Sequence, residues 1–242
     1  MGPWAKDPDS KDTVDYLLDI LCDIPGILED MKLLQETPGL FDNLPVIWMA
    51  LGLRITSCLD SLYLWRAKWE NDFSNAYYPV GLDALRDFKL VELETYPFST
   101  AIFFTEPGRA TELCLYNSML VILHRACRKV PSSTVSMVKP SIQPFGNHYR
   151  GSRPNVLLAP GEGSMKEIVC EICKMVYCQL SDYPGSTGAL HLMFPLQVAY
   201  RNIDPKSHTA EWLSTVLSHV ADVHGFEVVN FARNSTDVNI IV

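Results

Sequence analysis

Four side chains of this 242-residue chain are the best candidates for acid–base chemistry: His124, His191, Tyr116 and Tyr177. An imidazole titrates near neutral pH, and a phenol can donate a hydrogen bond to a reacting oxygen or nitrogen. Each lies in an apolar stretch with helical spacing, so each needs a hydrogen-bonding partner if it is buried. The alternative is structural: His191 as a satisfied core group, and His124 as a cation at the end of a helix.

The seven cysteines are the next candidates, because thiolates bind metals. Cys170, Cys173 and Cys178 form the pattern C-x2-C-x4-C, but no second half follows it. On a helix, Cys178 also lies beyond the face that the other two share. The first residues lack the apolar segment of a signal peptide, which favours an intracellular, soluble protein with reduced thiols. We therefore predict buried free thiols and no metal site.

Other sequence motifs offer no cofactor chemistry. The chain has no G-x-S-x-G, P-loop, H-E-x-x-H or Rossmann glycine pattern, so we predict no cofactor. The glycines at 185 and 188 indicate a turn, and Glu167 with Glu171 is interpreted as a solvated helix face. A net charge of −8 opposes binding along a nucleic-acid backbone. The basic residues between 124 and 129 are interpreted as charges at a helix end, and no direct nucleic-acid binding is predicted.

These candidates must be positioned by a long segment, residues 105–129, which predicts the central helix of the protein. Thr105 is the predicted cap, Pro107 suits the first turn, and Pro131 forbids continuation. Its apolar residues cover more than one face, which is typical of a helix buried inside a larger helical body. The polar Asn117 and Ser118 argue against a membrane span, and no segment is predicted to cross a bilayer.

Helical spacing recurs along most of the remaining chain. Pro25 and Gly26 interrupt the first helical pattern, so we predict a kink or a break there, and Pro195 predicts a kink in a later helix. Residues 75–105 are predicted as a connection with a short helical turn between 82 and 93. The further helices are predicted at 13–34, 46–73, 161–180, 189–200 and 207–224. In the second of them, the charged residues are expected mostly outside the buried stripe: Arg54, Asp60, Arg66, Lys68 and Glu70.

The predicted fold class is therefore all-α, a single bundle of about six to eight helices packed as antiparallel pairs around the long central helix. The predicted domain covers residues 13–229, with a flexible loop at 131–160. Tails are predicted at residues 1–12 and 230–242, the second with a short extended piece near its end.

The order of these blocks resembles a known family. The series resembles the fungal-specific transcription factor domain, the C-terminal regulatory region of fungal zinc-cluster transcription factors, over nearly all of residues 4–229. In that family a separate N-terminal cluster of six cysteines binds two zinc ions and reads DNA, and this chain lacks it. The blocks that carry the resemblance are LLDILCDIPGILEDM, SLYLWRAKWE, YPFSTAIFFTEPGRATELCLYNSMLVILHR, EIVCEICKMVY, LMFPLQVAYR and WLSTVLSHVADVHGF.

Two functional hypotheses follow. The first is a regulatory module without its own zinc cluster, in a fungal secondary-metabolite context, which acts through protein contacts or by sensing a small apolar ligand. The second is a scaffold recruited as a cofactor-free cyclase or isomerase, whose aromatic cavity would position a substrate with His124, His191, Tyr116 or Tyr177 as donors. A product without an independent role is a third interpretation. A nuclear or cytoplasmic location without membrane contact is expected, and a homodimer is one option.

Overall fold

The first helix begins at a capping box in this computed structural model, which describes residues 11–40, 43–86, 95–131, 156–182 and 186–225. In α1 (Thr13–Glu36), the Asp12 side chain accepts from the Asp15 backbone N–H, and Asp15 accepts from that of Asp12. The helix continues through Pro25, so the predicted break into two helices is wrong. Its inner face is buried on both sides of the proline, and this packing outweighs the helix penalty of about 3 kcal/mol.

The second helix, α2 (Leu44–Phe73), carries Pro45 in its first turn. Its apolar stripe is buried from Leu51 to Trp69, and Ile47 is partly buried. One expectation is wrong: the Arg66 side chain, predicted to lie outside the stripe, is only 1% exposed. Burial of this cation requires acceptors in the interior, which are described below.

A two-stranded antiparallel sheet follows, formed by β1 (Tyr77–Gly81) and β2 (Thr100–Phe104), with Tyr77 opposite Phe104. The sequence pattern did not predict these strands, because β1 contains a proline and the buried Ala-Ile-Phe-Phe run of β2 shows no alternation. The predicted helical turn is present as α3 (Leu82–Leu85). Residues 87–94 lie outside the described part.

The predicted central helix is confirmed as α4 (Pro107–Lys129). It contacts α1, α2, β2 and the three helices that follow it along the chain. Glu106 rather than Thr105 stands at the cap position, and the Thr105 backbone N–H instead donates to the Ala76 carbonyl at 2.8 Å. Polar residues are buried along the helix together with apolar ones, and these include Glu112, Asn117 and Ser118.

The single helix predicted at 161–180 is two helices, α5 (Met165–Lys174) and α6 (Val176–Asp182), separated at Met175. A capping box starts α5, in which the Glu167 carboxylate accepts from the Ser164 backbone N–H at 2.7 Å. Glu167 is therefore a capping residue, and hydrogen bonds to Ser164 hold its pKa below the usual value.

The last two helices form where the sequence predicts them. Helix α7 (Thr187–Arg201) runs through Pro195, and α8 (His208–His224) is capped by Ser207. Gly225 ends α8 in the left-handed conformation, with φ of 73°, a conformation that glycine adopts without strain. Buried hydrophobic residues from α1 to α8 form one cluster around α4.

The described residues are predominantly helical, which confirms the predicted all-α class. The predicted tails and flexible loop fall mainly on residues 1–10, 132–155 and 226–242, outside the described part. Within that part, α2 is long and apolar enough to cross a membrane by length and composition alone, contrary to the expectation that no segment would be. Half of its most apolar window is buried inside the protein, as in the core helices of many soluble proteins.

Candidate functional site

His124 lies on α4 next to a tyrosine from α2. The Tyr63 hydroxyl is 3.4 Å from Nε2 of His124. Burial, and then the Arg128 charge, lower the pKa of His124 below its usual value, and burial raises the pKa of Tyr63. The imidazole is therefore neutral at pH 7 and can accept a hydrogen bond from the tyrosine.

His191 on α7 belongs to a polar group that joins three helices. Its Nδ1 is 3.3 Å from the Thr111 hydroxyl on α4, and that hydroxyl accepts from the Gln179 side-chain amide at 3.0 Å. Gln179 on α6 is fully buried. These contacts agree with the structural interpretation, in which His191 is a hydrogen-bonded group of the helical core.

The two candidate tyrosines lie in different aromatic groups. Tyr116 stacks on Trp65 with ring centroids 5.5 Å apart, whereas Tyr177 contacts Tyr96 edge-on at 5.2 Å. Burial raises the pKa of both phenols, that of Tyr177 to about 12, so both are protonated at neutral pH. Tyr63 is a neighbour of both His124 and Tyr116, whereas the contacts described for His191 and Tyr177 are to other residues.

A cleft of about 430 Å³ opens between α1 and α2, within the size range of small-molecule sites. The residues that line it recur every three or four positions on each helix, so each helix contributes one face. From α1 these are Thr13, Tyr16, Asp19 and Ile20, and from α2 they are Ser61, Leu64, Trp65, Lys68 and Trp69.

Two indole rings form the inner wall of this α1–α2 cleft. The rings of Trp65 and Trp69 are 6.4 Å apart, and Trp65 is 7% exposed. The Trp65 indole N–H donates to the Thr13 carbonyl at 2.8 Å, which ties the wall to the start of α1. Nearer the solvent, the Tyr16 ring is 40% exposed. Because Trp69 is fully buried, the aromatic surface open to a bound molecule comes mainly from Tyr16.

Directly behind this wall, Glu112 accepts hydrogen bonds from three elements. It accepts from the Thr13 hydroxyl at 2.7 Å, the Trp69 indole N–H at 2.7 Å and the Arg109 guanidinium at 2.6 Å. The carboxylate is 3% exposed, and its partner Arg109 also lies over the Phe73 ring. Thr13, Trp69, Arg109 and Glu112, here called the Glu112 cluster, connect the cleft to the first turns of α4.

A second buried carboxylate, Glu171, corrects the prediction of a solvated Glu167–Glu171 face. Glu171 is 5% exposed and accepts from the Asn117 side-chain amide at 2.9 Å and the Leu158 backbone N–H at 2.6 Å. Burial raises the pKa of its carboxyl group, while the nearby Arg66 charge opposes that shift. This residue joins α5, α4 and the segment before α5, which is a structural role.

Arg66 is the charge that acts on Glu171, and it is held by several partners. Its guanidinium pairs with Glu70 at 2.6 Å and lies 5.0 Å from the Trp69 ring. The Tyr77 hydroxyl donates to the other oxygen of Glu70 at 2.7 Å, which extends these contacts to β1. The buried cation thus has the acceptors that its burial requires.

All seven cysteines are free thiols, and Cys58, Cys114, Cys173 and Cys178 are buried. Burial raises the pKa of Cys58, Cys114 and Cys173, so these three thiols are protonated at neutral pH. Cys22 is exposed, contrary to the expectation of burial. Among the residues that the structure describes, no group of three or more His, Cys, Asp or Glu side chains could hold a metal ion.

The cleft and the Glu112 cluster were not predicted from the sequence. The signal for the cleft was present in part, because Ser61, Leu64 and Lys68 follow helical spacing next to two tryptophans. What the sequence does not show is that this face meets Thr13 and Tyr16 of α1. A buried indole such as that of Trp69 is expected to have a hydrogen-bond acceptor, but the sequence does not show that this acceptor is Glu112.

Comparison of the chain with protein-family models, with curated proteins and with solved structures finds no match.

Proposed function

We propose that this chain is a regulatory helical module, of the kind found in fungal zinc-cluster transcription factors, that senses a small apolar ligand in the α1–α2 cleft. One observation carries the proposal: Thr13 and Trp69 line the cleft and also belong to the Glu112 cluster. Trp69 is fully buried, so a molecule in the cleft would reach this cluster through Thr13, whose hydroxyl is hydrogen-bonded to Glu112 on the central helix.

This arrangement supports a sensing function, because the cleft and the core share side chains. A ligand changes a protein's conformational balance only if it binds one state better than another. The Thr13 and Trp69 side chains can produce such a difference, since a shift of either alters a hydrogen bond to a carboxylate that is 3% exposed. The response would reach other proteins through the surfaces of α1 and α4.

The setting that we propose is a fungal secondary-metabolite pathway, with the chain in the nucleus or cytoplasm. Its block order is the basis for this part of the proposal, as is the net charge of −8, which disfavours direct contact with DNA. Regulation would then proceed through protein partners or a homodimer. Tight binding of the purified chain alone to promoter DNA would contradict this part.

The test of ligand sensing is to purify the chain from a filamentous fungal host and identify co-purifying small molecules by mass spectrometry. Ser61→Phe places a bulky ring inside the cleft. Ser57→Phe makes the same change one turn earlier on α2, at an exposed residue outside the cleft lining. We expect an apolar compound with the parent chain and with Ser57→Phe, and its loss with Ser61→Phe. Equal retention by both variants would place the compound elsewhere and contradict the proposal.

A second candidate function, a cyclase or isomerase, is favoured by the Tyr63–His124 pair. A neutral imidazole 3.4 Å from a phenol is a plausible arrangement for proton transfer to and from a substrate. Turnover of a pathway intermediate that disappears in His124→Gln, while the folded structure is kept, would support this function. No turnover of any intermediate tested would contradict it.

A further inference from the structure

The mouth of the α1–α2 cleft carries two lysines that approach the same aromatic ring. Lys68 Nζ on α2 lies 5.5 Å from the Tyr16 ring centroid, and Lys11 Nζ lies 5.6 Å from it. Both distances are within the range of cation–π contacts, so the ring helps to hold both ammonium groups at this edge.

The two lysines differ in their charge partners. Lys11 forms an ion pair with Asp19, which also lines the cleft. Lys68 forms no ion pair with any residue in the described part of the chain. Asp19 and, through space, Asp15 offset the charge of Lys11, whereas the Lys68 ammonium has no carboxylate of the described residues within ion-pair distance.

The interior of the cleft has a different character, because its inner wall is made of indole rings. The N–H groups of Trp65 and Trp69 already donate to the Thr13 carbonyl and to Glu112, and the side chains of Ile20 and Leu64 add apolar lining beside these buried rings. The Ser61 hydroxyl donates to the Ser57 carbonyl at 2.9 Å. A molecule inside the cleft would therefore meet apolar surface at one end and an ammonium group at the other.

We infer that the cleft binds an organic anion with a flat, apolar body and one carboxylate group. The body packs between Ile20 and Leu64 and against Trp65, and the carboxylate pairs with Lys68. This inference rests on the proposed ligand-sensing function and names the chemical class of the ligand. A volume of about 430 Å³ accommodates a body of several fused rings or a short polyene.

The experiment compares two probes that share one apolar body, 1-pyrenebutyrate and its uncharged methyl ester. Binding is followed by energy transfer from tryptophan to pyrene. We expect the parent chain to bind the acid more tightly than the ester. Lys68→Gln should weaken binding of the acid by about three- to tenfold and leave that of the ester unchanged. Lys32→Gln, which removes a cation from α1 outside the cleft lining, should affect neither probe.

Cleft occupancy is tested in parallel with Ser61→Phe and its control Ser57→Phe. We expect Ser61→Phe to weaken both probes by about tenfold or more, and Ser57→Phe to change neither. If acid and ester bind equally and Lys68→Gln has no selective effect, while Ser61→Phe still blocks binding, the inferred carboxylate preference is wrong and the proposed function stands. If neither probe binds, or if Ser61→Phe has no effect, both the inference and the ligand-binding cleft are wrong.

Discussion

At the scale of single residues, Glu112 shows how a buried carboxylate can hold several elements together. It accepts hydrogen bonds from α1, α2 and α4 while being 3% exposed. A group in this position is more important to stability than its own hydrogen bonds suggest, because its removal leaves buried donors without acceptors.

The first prediction concerns Glu112→Gln. The amide keeps the shape of the side chain but removes the negative charge, so the Arg109 guanidinium, 20% exposed, loses its buried counter-charge. We expect the free energy of unfolding to fall by about 2–4 kcal/mol, measured by urea denaturation.

The matched control is Glu106→Gln, which removes another carboxylate from the same arginine. Glu106 is 66% exposed and lies 3.2 Å from Arg109, so the expected loss is below about 1 kcal/mol. Equal losses in the free energy of unfolding for the two variants would show that burial of Glu112 is not the reason for its contribution to stability.

The second prediction is the pH dependence due to His124. Its folded-state pKa is lowered by burial, so the unfolded chain binds more protons at this site than the folded chain does. Stability due to this site is fully present above the unfolded pKa of about 6.5 and is lost as pH falls below it. Urea denaturation between pH 5 and 7.5 should show this loss in the parent chain and a smaller slope in His124→Gln.

His208→Gln is the control for this measurement, because His208 is exposed at the first position of α8. This variant should keep the slope of the parent chain. An unchanged slope in His124→Gln would mean that the pKa of His124 is not lowered in the folded protein.

The residue scale is where sequence analysis was least able to predict the structure. Whether a glutamate is solvated or buried depends on which helix lies opposite it. The sequence does not show this, and Glu171 was therefore predicted to lie on the surface. The same holds for Arg66, whose spacing on α2 placed it off the stripe, although it donates to Glu70 on the same helix and to the Leu158 carbonyl of another segment. His124 was predicted as a titratable group simply because it is a histidine, whereas its partner Tyr63 was not predicted.

At the scale of elements, two helices contain an internal proline and continue through it. Pro25 in α1 is exposed, whereas Pro195 in α7 is buried. Each removes one backbone hydrogen bond from its helix. Because only one of the two rings is buried, comparing the two prolines separates the cost of proline to the helix from the stability that its ring gains by packing.

The third prediction is that Pro25→Ala stabilises the protein by about 1–2 kcal/mol. Alanine restores a helical hydrogen bond with little loss of contact, and the greater freedom of the unfolded chain offsets part of this gain. Pro195→Ala should give a smaller gain or none, because it leaves a small space in the core. Urea denaturation of both variants tests this, and a larger gain for Pro195→Ala would contradict the argument.

Helix positions were largely predictable, because an apolar residue every three or four positions follows from burial of one face. The central helix, α2 and α8 were all expected from such patterns. The sheet was missed because a buried strand of four apolar residues looks the same as a short buried helix. The break at Met175 was also missed, since apolar spacing continues across it.

At the scale of the whole molecule, the buried residues of the helices belong to a single hydrophobic cluster. Elements that share a core lose it together, so small domains of this kind usually unfold in one step. Fold class was predictable at this scale, whereas the cleft depends on how α1 and α2 are aligned.

The fourth prediction is a single cooperative unfolding transition for the described part of the chain. Far-UV circular dichroism reports its helices, and tryptophan fluorescence reports the region around Trp65 and Trp69. The two curves should have the same midpoint in urea. In Trp212→Phe, which removes the indole of α8, the remaining fluorescence should again coincide with the dichroism curve of that variant, and separate midpoints would mean that the helices around the remaining tryptophans unfold apart from the rest.

The distribution of the thiols has a practical consequence for measuring motion. Cys22 is solvent-facing on α1, whereas Cys58, Cys114, Cys173 and Cys178 are enclosed on α2, α4, α5 and α6. An alkylating reagent should modify Cys22 within its ordinary reaction time and reach each enclosed sulfur only when the surrounding helices separate. Mass analysis of timed samples would then give the opening rate of four helices from one unlabelled preparation, with and without a molecule bound beside Trp65.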